Sequence, residues 1–207
     1  MTALVLRALH WNRALSMDLT VMREVALLRS HNLSRAILWM THAGDGGWLT
    51  VLSLAAGLAM VLRGRLAWAF YLWGTSVGAA LSSSMVKHLV MRHRPNAALH
   101  HALAMATSWS LPSGHAMQSA AVYSALAVLA FEAGLRWKWQ VALALATLTA
   151  VVAFSRVYLG VHYPTDVFIG CGLGLAWPLG LRSLMVGQSE LVRAPIAAEA
   201  TGERLTP

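Results

Sequence analysis

Charge is scarce in this chain, and negative charge most of all. Only 12% of the 207 residues are charged, against about a quarter in ordinary soluble domains, and only eight are Asp or Glu. A carboxylate-built magnesium or calcium centre therefore has little to draw on. The single cysteine, Cys171, excludes an internal disulfide and leaves no second thiolate for a metal. There is no internal repeat. The apolar stretch 3–9 is short, is broken by Arg7 and lacks a small-residue cleavage pattern, so it does not read as a secretory signal.

Apolar residues are abundant at 57%, and they fall in five uncharged runs: 48–62, 66–86, 116–131, 139–154 and 167–181. A helix needs about 20 residues to cross the hydrocarbon, so the shorter runs must extend into their polar flanks. A soluble helical protein of this length has no room to bury five such runs. The expected fold class is all-α, an integral membrane helical bundle of about five transmembrane helices. Region 1–46 places Arg7, Arg13, Arg23, Arg29 and Arg35 among Leu, Met, Val and Trp at helical intervals, as amphipathic interfacial helices do. The core is then 47–186, and 187–207 is expected to be a flexible polar tail.

The net charge of +8 comes from residues placed between the runs: Arg63 and Arg65, Arg136 and Lys138, then Arg182, Arg193 and Arg204. Charges spread in this way do not form the single basic face of a nucleic-acid binder. They mark cytoplasmic loops instead. Alternate crossings then bring 87–115 and 156–162 together on the opposite side, the outer face of the plasma (bacterial inner) membrane. The same parity puts the Arg-bearing N-terminal region outside, against the charge rule, unless a strained crossing lies near 14–28.

Three polar clusters lie on that outer side. In "KHLVMRHRP", 87–95, Lys87 and Arg94 are two helical turns apart, so both project from one face about 10 Å apart until Pro95 stops the helix. Taken alone, this is also what a basic flank snorkelling to lipid head groups looks like. In "PSGH", 112–115, Ser113 is a good N-cap, Gly114 permits close backbone approach, and His115 sits in the first turn of a helix whose free N–H groups attract an anion. Alone, it reads equally as a cap with an incidental histidine. In "SRVYLGVHYPTD", 155–166, Arg156 ends a span, His162 lies in a short connection, and Pro164 suits a first helical turn. Asp166, four residues after His162, can take the Nδ1 hydrogen and leave Nε2 nucleophilic. The bland alternative is a capping Asp and an interfacial His. Taken together, three cations, an anion-binding helix start and two histidines suit phosphoryl transfer. The cations would neutralise phosphate oxygens, while one histidine attacks phosphorus and the other protonates the departing oxygen.

In order and spacing, Lys87 with Arg94-Pro95, then Pro112-Ser113-Gly114-His115, then Ser155-Arg156 with His162 and Asp166, resemble the three-part signature of the type 2 phosphatidic acid phosphatase superfamily. That superfamily includes membrane lipid phosphatases, glucose-6-phosphatase and the vanadium haloperoxidases. The resemblance covers 87–166 and implies a helical core and metal-independent hydrolysis with no cofactor. It makes His162 the nucleophile of a phosphohistidine intermediate, Asp166 its orienting partner and His115 the general acid. Lys87, Arg94, Arg156, Ser113 and the Gly114 backbone would hold the phosphate. The implied substrate is a membrane lipid phosphate: undecaprenyl diphosphate, phosphatidylglycerophosphate or phosphatidic acid. The rival readings are a lipid phosphotransferase using the same intermediate and a non-catalytic lipid-binding or transport protein, which would be expected to have lost His115, His162 or Asp166. The chain departs from the six spans frequent among bacterial members of this group. His100, His101 and Trp109 could line the mouth of the site or belong to a polar interfacial loop.

Overall fold

In the computed structural model of the chain, residues 2–96, 102–104 and 107–201 are described, with the side chains of those among them between 14 and 185. Seven α-helices and no strand occur among them: α1 (Thr2–Leu27), α2 (His31–Met40), α3 (Gly46–Leu62), α4 (Leu66–Val90), α5 (Gly114–Glu132), α6 (Lys138–Tyr158) and α7 (Pro164–Thr201). A single 3-10 turn, Thr41–Gly44, joins α2 to α3. All five apolar runs are helical. The N-terminal region forms two helices, α1 and α2. The backbone of α7 runs on to Thr201, into the segment expected to be a polar tail.

The helix α5 is the centre of the bundle, packed against α4, α6 and α7. Its buried face is built largely from small residues, among them Ala116, Ser119, Ala120, Ala121 and Ala125. In a membrane, small residues let backbones approach closely and gain dispersion contact. The crossing of α7 over α5 depends on two of them four apart: a Cβ on Gly170 would lie 2.8 Å from the Ser113 carbonyl oxygen, and one on Gly174 would overlap the Met117 carbonyl oxygen.

Outward faces carry Val51, Leu58, Phe70, Leu81, Leu143 and Phe168, all exposed, as a lipid-facing surface does. By length and composition α6 and the Pro164–Met185 part of α7 can each cross a bilayer alone, and His31–Gly44 with Gly46–Leu62 qualifies as one pair bent by 47°. The helices α4 and α5, expected as further spans, fall short of that hydropathy. The reason is physical: α4 buries Thr75, Ser76, Gly78 and Ser83, α5 buries Ser119 and starts with Gly114 and His115, and a helix enclosed by protein need not be apolar all round. With α4 and α6 ending where α5 and α7 begin, four helix termini meet at one end of the bundle. Arg63, Arg65, Arg136 and Arg182 lie at the other end.

Candidate active site

The helix α4 stops earlier than Pro95 demands. Met91 takes a left-handed conformation (φ 50°, ψ 37°) and its N–H bonds the Lys87 carbonyl, so the helix closes at Val90. Lys87 and Arg94 are therefore not two turns apart on one helix, as the spacing suggested. They converge nonetheless. Lys87 Nζ donates to the Trp109 carbonyl at 2.6 Å, and Arg94, on the chain beyond the helix, reaches the same oxygen at 3.5 Å and the Ser108 carbonyl at 2.6 Å. Of the residues proposed to line the mouth, Trp109 supplies this carbonyl, while His100 and His101 lie outside the described residues.

Arg94 also donates to the Val161 carbonyl at 2.6 Å and to His162 Nε2 at 3.1 Å. A guanidinium is only a donor, so Nε2 must be the unprotonated nitrogen and Nδ1 carries the hydrogen. Burial is the main cause that pulls the imidazole down to about 3, with Arg94 and Arg156 adding to it against the opposing pull of Asp166. The ring is neutral, and its Nε2 lone pair faces Arg94. On its far side, Nδ1 lies 3.6 Å from Asp166 Oδ2 and 3.5 Å from Ser110 Oγ. The first distance is longer than a hydrogen bond. Asp166 is instead held by Ser110 Oγ at 2.5 Å, by the Tyr163 N–H at 3.0 Å and by Arg92 at 2.5 Å.

Ser113 lies next to this turn, its N–H bonded to the Asp166 carbonyl at 3.0 Å. Its side chain does not cap α5: the first-turn amides carry no side-chain cap, and Ser113 Oγ is buried with no partner. Ser113 does occupy the N-cap position, but the side-chain capping bond expected of it is not made. The only other buried side-chain polar atom without a partner, among the described residues, is Arg156 Nε. Arg156 is 6% exposed at the end of α6, and its Nη1 donates to Thr41 Oγ1 at 2.8 Å. Among the described residues, none of Lys87, Arg94 and Arg156 lies within ion-pair distance of a carboxylate. His115 completes the ring of groups. Its Nε2 meets Asp45 Oδ1 at 2.7 Å, and Asp45 Oδ2 meets His42 Nδ1 at 2.6 Å.

Several of these partners were not singled out from the sequence. Thr41 and Asp45 come from the 3-10 turn and its exit, Ser110 from the loop before Pro112, and Arg92 from inside the first cluster. Arg92 also pairs with Asp18 of α1 at 2.9 Å. A signal for two of them was present: the chain has three aspartates, Asp18, Asp45 and Asp166, and all three are drawn to this end of the bundle. No group of three or more His, Cys, Asp or Glu is disposed to bind a metal among the described residues.

The profile of the PAP2 superfamily matches residues 66–188. The chain is 33% identical over 174 residues to phosphatidylglycerophosphatase B of Bacillus subtilis, covering 81% of this chain and 83% of that protein. It is likewise 33% identical over 141 residues, 65% of this chain and 71% of the other, to decaprenylphosphoryl-5-phosphoribose phosphatase of Mycobacterium tuberculosis. The crystal structure of a transmembrane PAP2-type phosphatidylglycerolphosphate phosphatase from Bacillus subtilis is similar with a TM-score of 0.80 and 29% identity, over 87% of this chain and 90% of that one.

Proposed function

Because the chain belongs to the PAP2 superfamily, as an integral membrane hydrolase of phosphate esters, we propose that it removes phosphate from a membrane lipid through a phosphohistidine at His162. One observation carries this reading. Three cations of the site, Arg94 on His162 Nε2, Lys87 on the Trp109 carbonyl that Arg94 shares, and Arg156 on Thr41, are bonded only to neutral groups, while Ser113 Oγ and Arg156 Nε are buried without partners. Unneutralised charge inside a membrane protein is costly, and an arriving phosphate relieves that cost while filling both unused donors.

The chemistry follows from the positions. Lys87, Arg94, Arg156, Ser113 Oγ and the Gly114 amide hold the non-bridging oxygens. As Arg94 turns from the imidazole to the phosphate, Nε2 attacks phosphorus. The bond to the lipid oxygen breaks, its electron pair leaves with that oxygen, and His115 supplies the proton. The phosphorylated imidazole, still carrying hydrogen on Nδ1, is positive, and Asp166 stabilises that charge. Water then attacks phosphorus, His115 takes the water's proton, and the N–P bond breaks to release phosphate.

The lipid character of the substrate is supported by a cavity of about 670 Å³ that reaches Asp45, the carboxylate bonded to His115. Trp39, Trp48, Leu52, Tyr123 and Leu148 line it together with Asp45. It is almost wholly apolar and suits a hydrocarbon chain whose head group points at His115. Five crossings, α3 to α7, put the basic loops in the cytoplasm and the site at the outer face of the plasma membrane. Phosphatidic acid, phosphatidylglycerophosphate and undecaprenyl diphosphate are the substrates to try. Purified protein in detergent should release phosphate from at least one of them in the presence of EDTA. Release from none, or release abolished by the chelator, overturns the proposal.

A further inference from the structure

The carboxylate of Asp18 is 1% exposed, although it belongs to a helix read from the sequence as interfacial. A buried carboxylate at membrane depth is costly unless it is paired and fully hydrogen-bonded. This one is both. Its Oδ2 accepts from Arg92 Nη2 at 2.9 Å and from Thr165 Oγ1 at 2.6 Å, and its Oδ1 accepts from the Thr165 N–H at 2.9 Å. Thr165 is the second residue of α7, so Asp18 caps the start of that helix from another helix.

Arg92 in turn touches three consecutive parts of the turn that carries His162. Its Nη1 donates to Asp166 Oδ1 at 2.5 Å and to Thr165 Oγ1 at 2.7 Å, and its guanidinium lies 4.1 Å from the Tyr163 ring centroid. Arg92 is thus consumed by the turn and by Asp18, and it does not join Lys87, Arg94 and Arg156 around the phosphate.

We infer that Asp18 and Arg92 are a positioning pair for the nucleophile, so that α1 is part of the catalytic apparatus and not only a membrane-surface helix. The inference rests on the reading of His162 as nucleophile. Two physical effects follow. The pair fixes the 163–166 turn from behind, which sets the direction of the imidazole. Asp18 also neutralises Arg92; without it the full guanidinium charge would fall on Asp166, and less of that carboxylate's charge would remain to support the cation formed when His162 is phosphorylated. The other charged groups acting on the imidazole, Arg94 from the chain beyond α4 and Arg156 from α6, are untouched by either substitution below.

The test uses the full-length protein in detergent with short-chain phosphatidic acid, and inorganic phosphate as the inhibitor. Asp18→Asn should lower kcat roughly ten- to a hundredfold, the range seen when a partner that orients a catalytic ligand is lost. The inhibition constant for phosphate should stay within about twofold, since the residues holding that anion are intact. Arg92→Gln should cost at least as much, with the same split. Should either variant fail to give a monodisperse protein, Thr165→Val removes only the hydroxyl between the two charges and should lower kcat severalfold. Wild-type kcat in every folded variant overturns the inference. So does a loss of anion binding that matches the loss of kcat, because that is a general structural defect. If the wild-type protein hydrolyses none of the lipids, or His162→Ala retains turnover, it is the proposed function that fails instead.

Discussion

His162 and His115 each stand beside an aspartate, yet the two pairs differ in burial and in bonding. The His162 pair is sealed: side-chain exposure is 3% and 0%, and the carboxylate is tied down by Ser110, Tyr163 and Arg92. At 3.6 Å the carboxylate acts on the imidazole more through charge than through a direct bond. The His115 pair is open, with 26% and 40% exposure, a direct contact of 2.7 Å, and a second histidine, His42, on the same carboxylate. A nucleophile needs a dry, fixed nitrogen with no proton on it. A group that gives a proton and takes one back needs reach toward water and leaving group. The contrast in burial matches that division of labour.

If the buried carboxylate stabilises the phosphorylated imidazole, Asp166→Asn should be the more damaging of the two aspartate substitutions. A loss of roughly 10³- to 10⁴-fold in kcat is expected, with some turnover left, measured as phosphate release from the best lipid. His115→Ala should cost roughly 10²- to 10³-fold on a lipid alcohol leaving group, and far less on p-nitrophenyl phosphate, whose leaving group departs without a proton. An equal loss on both substrates would remove His115 from the leaving-group role. Asp45→Asn leaves His115 in place but loosens it, so about a tenfold fall on the lipid and little on p-nitrophenyl phosphate should follow. The smallest effect is expected outside both pairs. Ser113→Ala should raise KM severalfold yet leave the melting temperature unchanged, whereas a true helix cap would cost about 1 kcal/mol of stability.

Much of the fold is legible in the sequence because a membrane segment announces itself locally. The five apolar runs all became helices, and Pro164, Gly114 and Arg156 sit at the helix ends where local chemistry puts them. The end of α4 was not legible: Pro95 sets a latest stop, and only tertiary bonds from Trp109 and Ser108 explain an earlier one at Met91. The residues of the three polar clusters, which the structure gathers at one end of the bundle, could be picked out because each cluster is short and local. Their supports could not. Asp45 lies 70 positions from His115 and Asp18 lies 147 from Thr165, so nothing local links them. What could have pointed there is scarcity: in a chain with three aspartates, each one in or beside an apolar helix must have a reason to be charged. Ser113 shows the reverse case, a residue whose local preference to cap is set aside, leaving its hydroxyl unpartnered.

The central claim is that phosphate passes through His162. Base-quenched mixtures of the protein with its lipid, kept alkaline through digestion and analysed by mass spectrometry, test it most directly. The account predicts an acid-labile, base-stable phosphoryl group on the peptide that carries residue 162, formed within one turnover and missing from His162→Ala. Steady release of phosphate with no such adduct, or an adduct on His115, would contradict it.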